Sequence, residues 1–248
     1  MTRHNRPPTI AFLGPEPDAP FPPVSQALRE PDGLLAMGGD LSTQRLLNAY
    51  RNGIFPWYSE GEPLLWWSPD PRAIFMTDGI RLSSKFRRQL QKSHWTVRAD
   101  TAFEQVIDAC ASSPRPGQSG TWITREMRDA YVELHRLGHG HSIEVYNDAH
   151  LIGGVYGVAI GRMFFGESMF SAESGASKLA LAALAQRLHA WGWPWIDAQV
   201  GNAHTASLGC IEIPRSDFCE RVAHLTREPG LMGTWNERFG GVAAAELA

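Results

Sequence analysis

The segment from His141 to Val200 limits the choice of fold more than any other part of the chain. Four apolar or alternating stretches have the pattern of strands: His141–Tyr146, Leu151–Ile160, Met163–Phe170 and Trp195–Val200. An Ala/Leu-rich stretch between the third and fourth strands predicts a helix over Ser174–Ala190, with Ser174 as its cap. Three strands, a helix and a further strand predict an α+β fold in which helices cover a mostly antiparallel sheet.

The rest of the chain divides into a proline-rich start and two regions of clearer pattern. Three more helices are predicted by apolar spacing: Ser42–Asn52, Ala102–Ser112 and Arg125–Leu137. The pattern becomes regular after about residue 90, which predicts a small N-terminal domain over residues 1–90 with an irregular lead-in. Residues 91–248 would form the second domain, whose element order is that of acetyltransferase-like (GNAT) acyltransferases. Element order alone says little about function.

Composition excludes several classes of protein. A hydrophobic fraction of 43% with 20% charged residues excludes disorder of the whole chain. No run approaches eighteen apolar residues and the first residues are polar, so we expect a cytoplasmic protein. The net charge of −3 argues against broad coating of nucleic acids but allows a local basic patch. Cys110, Cys210 and Cys219 form no CxxC pair, so we expect neither a disulfide framework nor a structural zinc site.

Three polar residues in apolar surroundings are the first catalytic candidates. Asp197 and Gln199 lie two residues apart on a predicted strand, so we expect their side chains on one face. Asp197 could then accept a hydrogen bond from the Gln199 amide, which would leave the amide oxygen free for a nucleophile. Glu167, at the end of another strand, would hold a cation if it lies nearby. Alternatively, Asp197 and Gln199 only satisfy buried backbone groups at the end of their strand.

Other polar groupings carry weaker signals. His204 and Ser207 are three residues apart, but without a G-x-S-x-G turn Ser207 is more simply a capping residue. The spacing of His135, His139 and His141 crosses a predicted helix end at Gly138, which disfavours a metal site. The glycines after residue 150 match neither a dinucleotide-binding loop nor a P-loop.

A basic segment interrupts this acidic protein between Ile80 and Trp95. It contains no acidic residue and five cations: Arg81, Lys85, Arg87, Arg88 and Lys92. Such a cluster is either a solvated helix face or a set of contacts to a phosphate backbone. The sequence pattern leaves both interpretations open.

Several motifs together resemble one family, the leucyl/phenylalanyl-tRNA–protein transferases, which are bacterial aminoacyltransferases of the N-end degradation pathway. The matching segments extend from about residue 28 to 218 and include Gly53-Ile54-Phe55-Pro56-Trp57, Trp66-Trp67-Ser68-Pro69-Asp70-Pro71-Arg72, Gly120-Thr121-Trp122-Ile123-Thr124, Gly166 to Ser171 and Glu212-Ile213-Pro214-Arg215. Two positions depart from the family's pattern, with Ala198 in place of a cysteine and Val155 in place of a methionine.

This resemblance implies transfer of Leu or Phe, with Met as a further candidate, from aminoacyl-tRNA to the α-amine of proteins that begin with Arg or Lys. The transferred residue would mark those proteins for N-end degradation. The family's scheme gives Gln199 the amine proton, relayed from Asp197, whereas we prefer Gln199 as an acceptor that orients the amine, because an amide oxygen is a very weak base. The leaving ribose oxygen could receive its proton through the neighbouring 2′-OH.

The remaining site residues are expected to bind the substrates. Apolar residues beside the polar ones are candidates for the cavity that takes Leu or Phe: Val155, Phe164, Met169 and Ile196. Trp57 and Trp122 are candidates for stacking on the terminal adenine, and Asn202 is a further substrate-binding candidate. The basic segment would contact tRNA phosphates.

The reaction needs no ATP, metal or acetyl-coenzyme A, so we expect no cofactor. We also expect that the protein has no membrane partner and is a monomer. The main alternative is a GNAT-type acyltransferase that uses an acyl-coenzyme A donor. A nonenzymatic RNA-binding module is the third possibility. A transfer assay with labelled Phe-tRNA, with acetyl-coenzyme A as a control, separates the three.

Overall fold

The computed structural model describes residues 10–113 and 122–248, which form two β-sheets. The smaller sheet lies in the N-terminal part and has the strand order β1-β2-β4-β3. Its strands are β1 (Ala11–Leu13), β2 (Leu34–Gly38), β3 (Phe55–Pro56) and β4 (Leu65–Trp67). β1 is parallel to β2, and the other pairs are antiparallel.

Helix α1 (Thr43–Arg51) connects β2 to β3 and confirms the helix predicted over Ser42–Asn52. Ser42 caps it by accepting a hydrogen bond from the backbone N–H of Arg45. The helix ends before Gly53, whose φ of +72° suits a residue without a side chain. Tyr50 lies on the buried face of α1 and is fully inaccessible to solvent.

The larger sheet has eight strands in the order β11-β5-β10-β9-β8-β7-β6-β12. They are β5 (Arg72–Met76), β6 (Thr96–Ala99), β7 (Gly140–Asn147), β8 (His150–Ile160), β9 (Met163–Ser171), β10 (Trp195–Gln199), β11 (Ile211–Ile213) and β12 (Val242–Ala243). Only β9 and β10 pair in parallel within this sheet. This confirms the predicted mostly antiparallel sheet.

Helices cover both faces of the larger sheet and bury two cores. α3 (Phe103–Ser112) and α4 (Arg125–Arg136) pack with α1 over one face, and α5 (Ala176–Ala190) packs over the other. The shorter helices are α2 (Ser84–Leu90), α6 (Ala203–Ser207), α7 (Arg215–Leu225) and α8 (Asn236–Phe239). The predicted α+β class, with helices covering a mostly antiparallel sheet, is confirmed.

One predicted detail of α5 is wrong. The N-cap is Gly175 rather than Ser174, and its φ of +93° places it in the left-handed region. A side chain at this position would also collide with the ring of Phe86, because a Cβ would lie 2.4 Å from that ring. The chain therefore enters α5 through a glycine where the sequence pattern favours a serine.

The sheets bear on the predicted division into domains. β5 precedes the division predicted after residue 90, yet it pairs with β10 and β11 in the larger sheet. The division into residues 1–90 and 91–248 itself stays a prediction. No helix in the described part of the chain is long and apolar enough to cross a membrane.

Candidate functional site

The candidate site lies where the parallel strands β9 and β10 part. Their pairing extends from Trp195 and Met163 to Asp197 and Phe165. Just beyond that point both strands have a register shift against their other neighbour, which leaves Glu167 unpaired in β9 and Ala198 unpaired in β10. Such β-bulges bend a strand and redirect its side chains. Two adjacent bulges therefore open the sheet at the predicted catalytic residues.

Asp197 is held by a buried arginine that sequence analysis had not assigned to the site. Arg72 Nε lies 2.8 Å from Asp197 Oδ1 and Arg72 Nη2 lies 2.6 Å from Oδ2, so the pair is bidentate. The Arg72 guanidinium also donates to the carbonyl of Gly53 and lies between the rings of Phe55 and Phe218. Because both side chains are almost fully buried, Asp197 is a structural anchor for this end of β10.

The predicted hydrogen bond between the side chains of Asp197 and Gln199 is wrong. The backbone N–H of Gln199 donates to Asp197 Oδ1 at 2.9 Å, whereas the Gln199 side-chain amide donates to Glu167 Oε1 at 2.9 Å. The cause is the bulge at Ala198, together with a φ of +61° at Gln199. These features remove the regular alternation from which a shared face was expected.

Glu167 does lie near Gln199, but its environment differs from the predicted cation site. The hydroxyls of Tyr50 and Tyr131 lie within hydrogen-bonding distance of its carboxyl oxygens, at 2.8 and 2.9 Å. Removal of this carboxyl from water raises its pKa to about 8, although these hydrogen bonds act in the opposite direction. A group with that pKa is mainly neutral at pH 7. The neighbouring cation, Arg72, pairs with Asp197 instead.

An apolar cavity of about 500 Å³ opens beside Glu167 on the α5 side of the sheet. Three predicted pocket residues line it, Val155, Met169 and Ile196, and two that sequence analysis did not identify, Phe75 and Leu181. The structure does not place Phe164 at this cavity. That side chain is fully buried in the core, with its ring 5.9 Å from the ring of Trp235.

A second cavity, of about 230 Å³, lies between two tryptophans, and we refer to it as the tryptophan cavity. Trp57 and Trp122 both line it, together with Gln199 and Glu167. Trp57 is 40% exposed, and its backbone carbonyl accepts a hydrogen bond from the indole of Trp67 at 2.7 Å. Gly120 and Thr121 of the predicted motif lie outside the described residues.

Asn202 lies at the boundary between the two cavities. It lines both of them, and its side-chain oxygen caps α6 by accepting from the backbone N–H of Thr205 at 2.9 Å. Glu167 also lines both. The bulges thus bring the predicted catalytic residues to the place where the apolar cavity meets the tryptophan cavity.

The basic segment forms α2 and the residues around it. All five of its cationic side chains are exposed: Arg81, Lys85, Arg87, Arg88 and Lys92. None of them forms an ion pair with a carboxylate in the described part of the chain. The backbone N–H of Arg81 donates to the carbonyl of Leu208 next to α6, and Phe86 of α2 packs against Gly175 at the start of α5. α2 is therefore fixed near two elements that line the apolar cavity.

The weaker sequence candidates have structural explanations. Ser207 donates to the carbonyl of His204 at 2.7 Å, which is a local bond inside α6. His141 is buried, with its Nδ1 2.8 Å from Asp100 and its ring stacked on Trp235. Among residues 10–113 and 122–248, no group of three or more His, Cys, Asp or Glu side chains is placed to hold a metal ion.

Arg72, Tyr50 and Tyr131 are the members of the candidate site that sequence reasoning missed. Tyr50 falls within the predicted helix Ser42–Asn52 and Arg72 ends a recognised motif, but neither was given a role of its own. In the sequence, Tyr50 is 117 residues from its partner Glu167 and Arg72 is 125 residues from its partner Asp197, so no local pattern links them. Only the isolated polarity of Glu167 and Asp197 inside apolar strands indicates that partners must exist.

Comparison with known proteins gives consistent results over the whole chain. A family model described as leucyl/phenylalanyl-tRNA protein transferase matches residues 74–223, and the model of that family's N-terminal domain matches residues 39–70. A protein of Xanthomonas euvesicatoria pv. vesicatoria with the name leucyl/phenylalanyl-tRNA–protein transferase is 67% identical, and the alignment covers 100% of this chain and 98% of that protein. Proteins of the same name are 64% identical in Xanthomonas oryzae pv. oryzae (100% and 98% covered) and 59% identical in Xylella fastidiosa (95% and 97% covered).

Proposed function

Because the chain belongs to the leucyl/phenylalanyl-tRNA protein transferase family, it transfers amino acids from tRNA to proteins, and we propose that it transfers Leu or Phe to proteins that begin with Arg or Lys. Met is a further candidate donor residue. The acceptor is the N-terminal α-amine, and the product is a substrate for N-end degradation. The enzyme acts as a monomer in the cytoplasm, where aminoacyl-tRNA is made.

The observation that carries this proposal is the meeting of the two cavities at Glu167 and Gln199. The apolar cavity is large enough for a Leu or Phe side chain and has apolar walls at Val155, Met169 and Ile196. The tryptophan cavity presents aromatic rings at Trp57 and Trp122, on which an adenine base can stack. An aminoacyl-adenosine has the same two ends, joined by an ester. The ester would lie at the junction of the cavities.

The chemistry needs little more than positioning. An aminoacyl ester is already activated, and an α-amine with a pKa of about 7.7–8.0 is partly neutral at neutral pH. Holding amine and ester in contact can lower the barrier by several kcal/mol. Because the Gln199 amide nitrogen is bound to Glu167, its oxygen is left to accept a hydrogen bond from the attacking amine. Gln199 therefore orients the nucleophile, and Asp197 holds the backbone of Gln199 in place.

The basic segment would bind the body of the donor tRNA. Arg81, Lys85, Arg87, Arg88 and Lys92 are exposed and unpaired with carboxylates in the described part of the chain. Their position beside α5 and α6 places them near the apolar cavity. Phosphate contacts do not depend on base sequence, so they suit an enzyme that accepts tRNAs for more than one amino acid.

One assay tests the proposal. The protein is incubated with radiolabelled Phe-tRNA and two versions of one acceptor protein that differ only in the first residue, Arg or Ala. Label should pass to the Arg version and not to the Ala version. Transfer to both would contradict the acceptor preference, and transfer to neither would contradict the proposed reaction.

The comparisons do not favour the alternative of an acyl-coenzyme A donor. The same assay includes labelled acetyl-coenzyme A in place of Phe-tRNA as a control. Acetylation of the acceptor, without transfer from Phe-tRNA, would support that alternative.

A further inference from the structure

The carboxyl group of Glu167 closes a ring of hydrogen bonds with two tyrosines. Tyr50 Oη lies 2.8 Å from Oε1, Tyr131 Oη lies 2.9 Å from Oε2, and the two hydroxyls contact each other. The Gln199 amide makes a further bond to Oε1. Both hydroxyls are neutral at physiological pH, because burial raises the pKa of Tyr50 and of Tyr131 well above the usual value.

The number of protons that this ring needs indicates the charge state of Glu167. Three contacts between oxygen atoms need three protons, and two neutral tyrosines supply two. If Glu167 were ionised, each hydroxyl would donate to one carboxylate oxygen. The two hydroxyl oxygens would then face each other through their lone pairs, with no proton between them. A protonated carboxyl supplies the missing one. Oε2 then donates to Tyr131, Tyr131 donates to Tyr50, and Tyr50 donates to Oε1.

The surroundings favour the same neutral state. Removal from water is the largest effect and raises the pKa of Glu167, and the negative charge of Asp197 raises it further, whereas the tyrosine hydrogen bonds and the charge of Arg72 lower it by less. Arg72 is the nearest cation, but its guanidinium is engaged by Asp197 in a bidentate pair. The other titratable groups facing Glu167 are the two tyrosines, from α1 and α4, while His204 of α6 lines the same apolar cavity.

We propose that Tyr50 and Tyr131 hold Glu167 as a neutral acid and that Glu167 protonates the ribose oxygen that leaves during aminoacyl transfer. The inference rests on the proposed function and adds a proton donor beside Gln199. Glu167 is the one titratable side chain in the described part of the chain that lines both cavities. It therefore faces the junction where the ester would lie. Tyr50 and Tyr131 are positioning residues, because they act through Glu167.

The protons balance over one transfer. The neutral amine attacks the ester carbonyl carbon, so that a C–N bond forms and the carbonyl electron pair moves to oxygen. The carbonyl forms again as the bond to the ribose O3′ breaks, and Glu167 gives that oxygen the proton that it otherwise donates to Tyr131. The surplus proton on the amine nitrogen then passes to the Glu167 carboxylate. The acid is restored, and no cofactor is consumed.

The charge state can be read from the free enzyme by infrared spectroscopy with ¹³C-labelled glutamate. Wild type at pH 7 should show the carbonyl stretch of a protonated carboxyl that is lost in Glu167→Gln. The matched control is Glu144→Gln, because burial raises the pKa of Glu144 to about 7 and makes it the other candidate for such a band. If no band depends on Glu167, the neutral acid is ruled out.

The positioning role of the tyrosines is tested on the same band. Tyr131→Phe removes the hydroxyl to which Glu167 donates, so the band should shift in frequency while the apparent KM for aminoacyl-adenosine stays within about twofold. An unchanged band would show that Tyr131 does not hold the acid.

The proton-donor role is tested by kinetics. An amide at position 167 can keep the ring closed, so Glu167→Gln should fold normally but lose about 10²–10⁴-fold in kcat with little change in KM. Glu144→Gln should keep wild-type kcat. Full kcat in Glu167→Gln would overturn the role.

A donor without the ribose 2′-OH separates Glu167 from the other route for the proton. Wild type should use 2′-deoxy phenylalanyl-adenosine at a rate close to that of the ordinary aminoacyl-adenosine, and Glu167→Gln should fail with both. If wild type uses only the ordinary donor, the 2′-OH carries the proton and the inference is wrong. If wild type uses neither of the two aminoacyl-adenosine donors and does not use Phe-tRNA, the proposed function itself fails. The infrared result is independent of that outcome.

Discussion

Asp197 and Glu167, whose carboxyl groups both accept a hydrogen bond from Gln199, have opposite environments. Asp197 is bound by the Arg72 guanidinium, whereas Glu167 is bound by neutral hydroxyls and an amide. Such a difference separates the roles of two acids in one site. Asp197 fixes the backbone, and Glu167 is left with a pKa near that of the substrate amine.

Replacing Asp197 should therefore damage the fold as well as the reaction. Asp197→Ala leaves the buried Arg72 guanidinium without its partner, which typically costs about 3–5 kcal/mol in the free energy of unfolding. Denaturant titration measures the loss. The control is Asp129→Ala, which removes a surface partner of Arg125 and Arg128 and should change stability by about 0–1 kcal/mol. Equal stability of the two variants would contradict the anchoring role of Asp197.

Gln199→Ala should behave differently, because the Gln199 side chain is not part of the buried ion pair. We expect normal stability and normal tRNA binding, with a lower kcat because the amine is no longer oriented. The loss should be smaller than the 10²–10⁴-fold typical of a general base. Single-turnover transfer from Phe-tRNA gives the rate, and a rate equal to wild type would remove Gln199 from the mechanism.

The raised pKa of Glu167 also predicts how stability changes with pH. The folded state holds this proton up to a pKa of about 8, whereas the ordinary value is 4.5. The contribution of Glu167 to the stability of the folded state is therefore full below about pH 4.5 and is lost as the pH rises towards about 8. Glu167→Gln should remove this part of the decline, so the Tm of the variant minus that of wild type should increase from pH 5 to pH 8. A constant difference in Tm would contradict the raised pKa.

At the residue level, sequence alone found the polar groups of the candidate site but not their partners. Glu167, Asp197 and Gln199 are recognisable because they are polar within apolar strands. The pairing between them depends on two bulges, and a bulge is one inserted residue that leaves no mark in the alternation of a short strand. Arg72 and Tyr50 are missed because their contacts to Asp197 and Glu167 form only after distant segments of the chain meet.

At the level of elements, the bulges in β9 and β10 turn a continuous sheet into a site. Gly166 lies at the opening, where a Cβ would come 3.1 Å from the Asp197 carbonyl. Beyond this point the α5 side of the sheet carries the apolar cavity. The long strands β8 and β9 and the helix α5 were predicted because their patterns extend over many residues. The strands β6 and β11 have only four and three residues, too few for a periodic pattern, and were missed.

The apolar cavity predicts a change in donor preference for Val155→Trp. Val155 lies on β8 in the wall of the cavity and is almost fully buried, so a larger side chain fills space there. Phe should be excluded before Leu, because Phe needs more volume, and one methylene of fit is worth about 1–3 kcal/mol. Competition between Phe-tRNA and Leu-tRNA measures the preference. Thermal unfolding checks that the variant folds, and an unchanged ratio in a folded variant would refute the assignment of the cavity.

At the scale of the whole molecule, the site joins parts that are far apart in the chain. The segment that follows β3 supplies Trp57, α4 supplies Tyr131, and β5 supplies Arg72. The layout of layers was predictable from the order of elements, but this convergence was not, since it depends on pairing between distant strands. The net charge of −3 also gave no sign of where tRNA would lie. The proposed tRNA contact rests on the local run of cations in and around α2.

Removing charge from α2 should weaken binding of whole tRNA and leave the minimal donor unaffected. Lys85, Arg87 and Arg88 are exposed, so changing all three to Gln should not disturb the core, and the log–log slope of tRNA binding against salt should fall by up to about three. The matched control changes Arg29, Arg227 and Arg238, which are exposed elsewhere, and should keep the wild-type slope. Trp122→Ala, by contrast, should weaken aminoacyl-adenosine as well, by about 1–3 kcal/mol for a lost stacking contact. If the triple variant loses aminoacyl-adenosine and tRNA equally, α2 supports the fold or the reaction and does not bind phosphate.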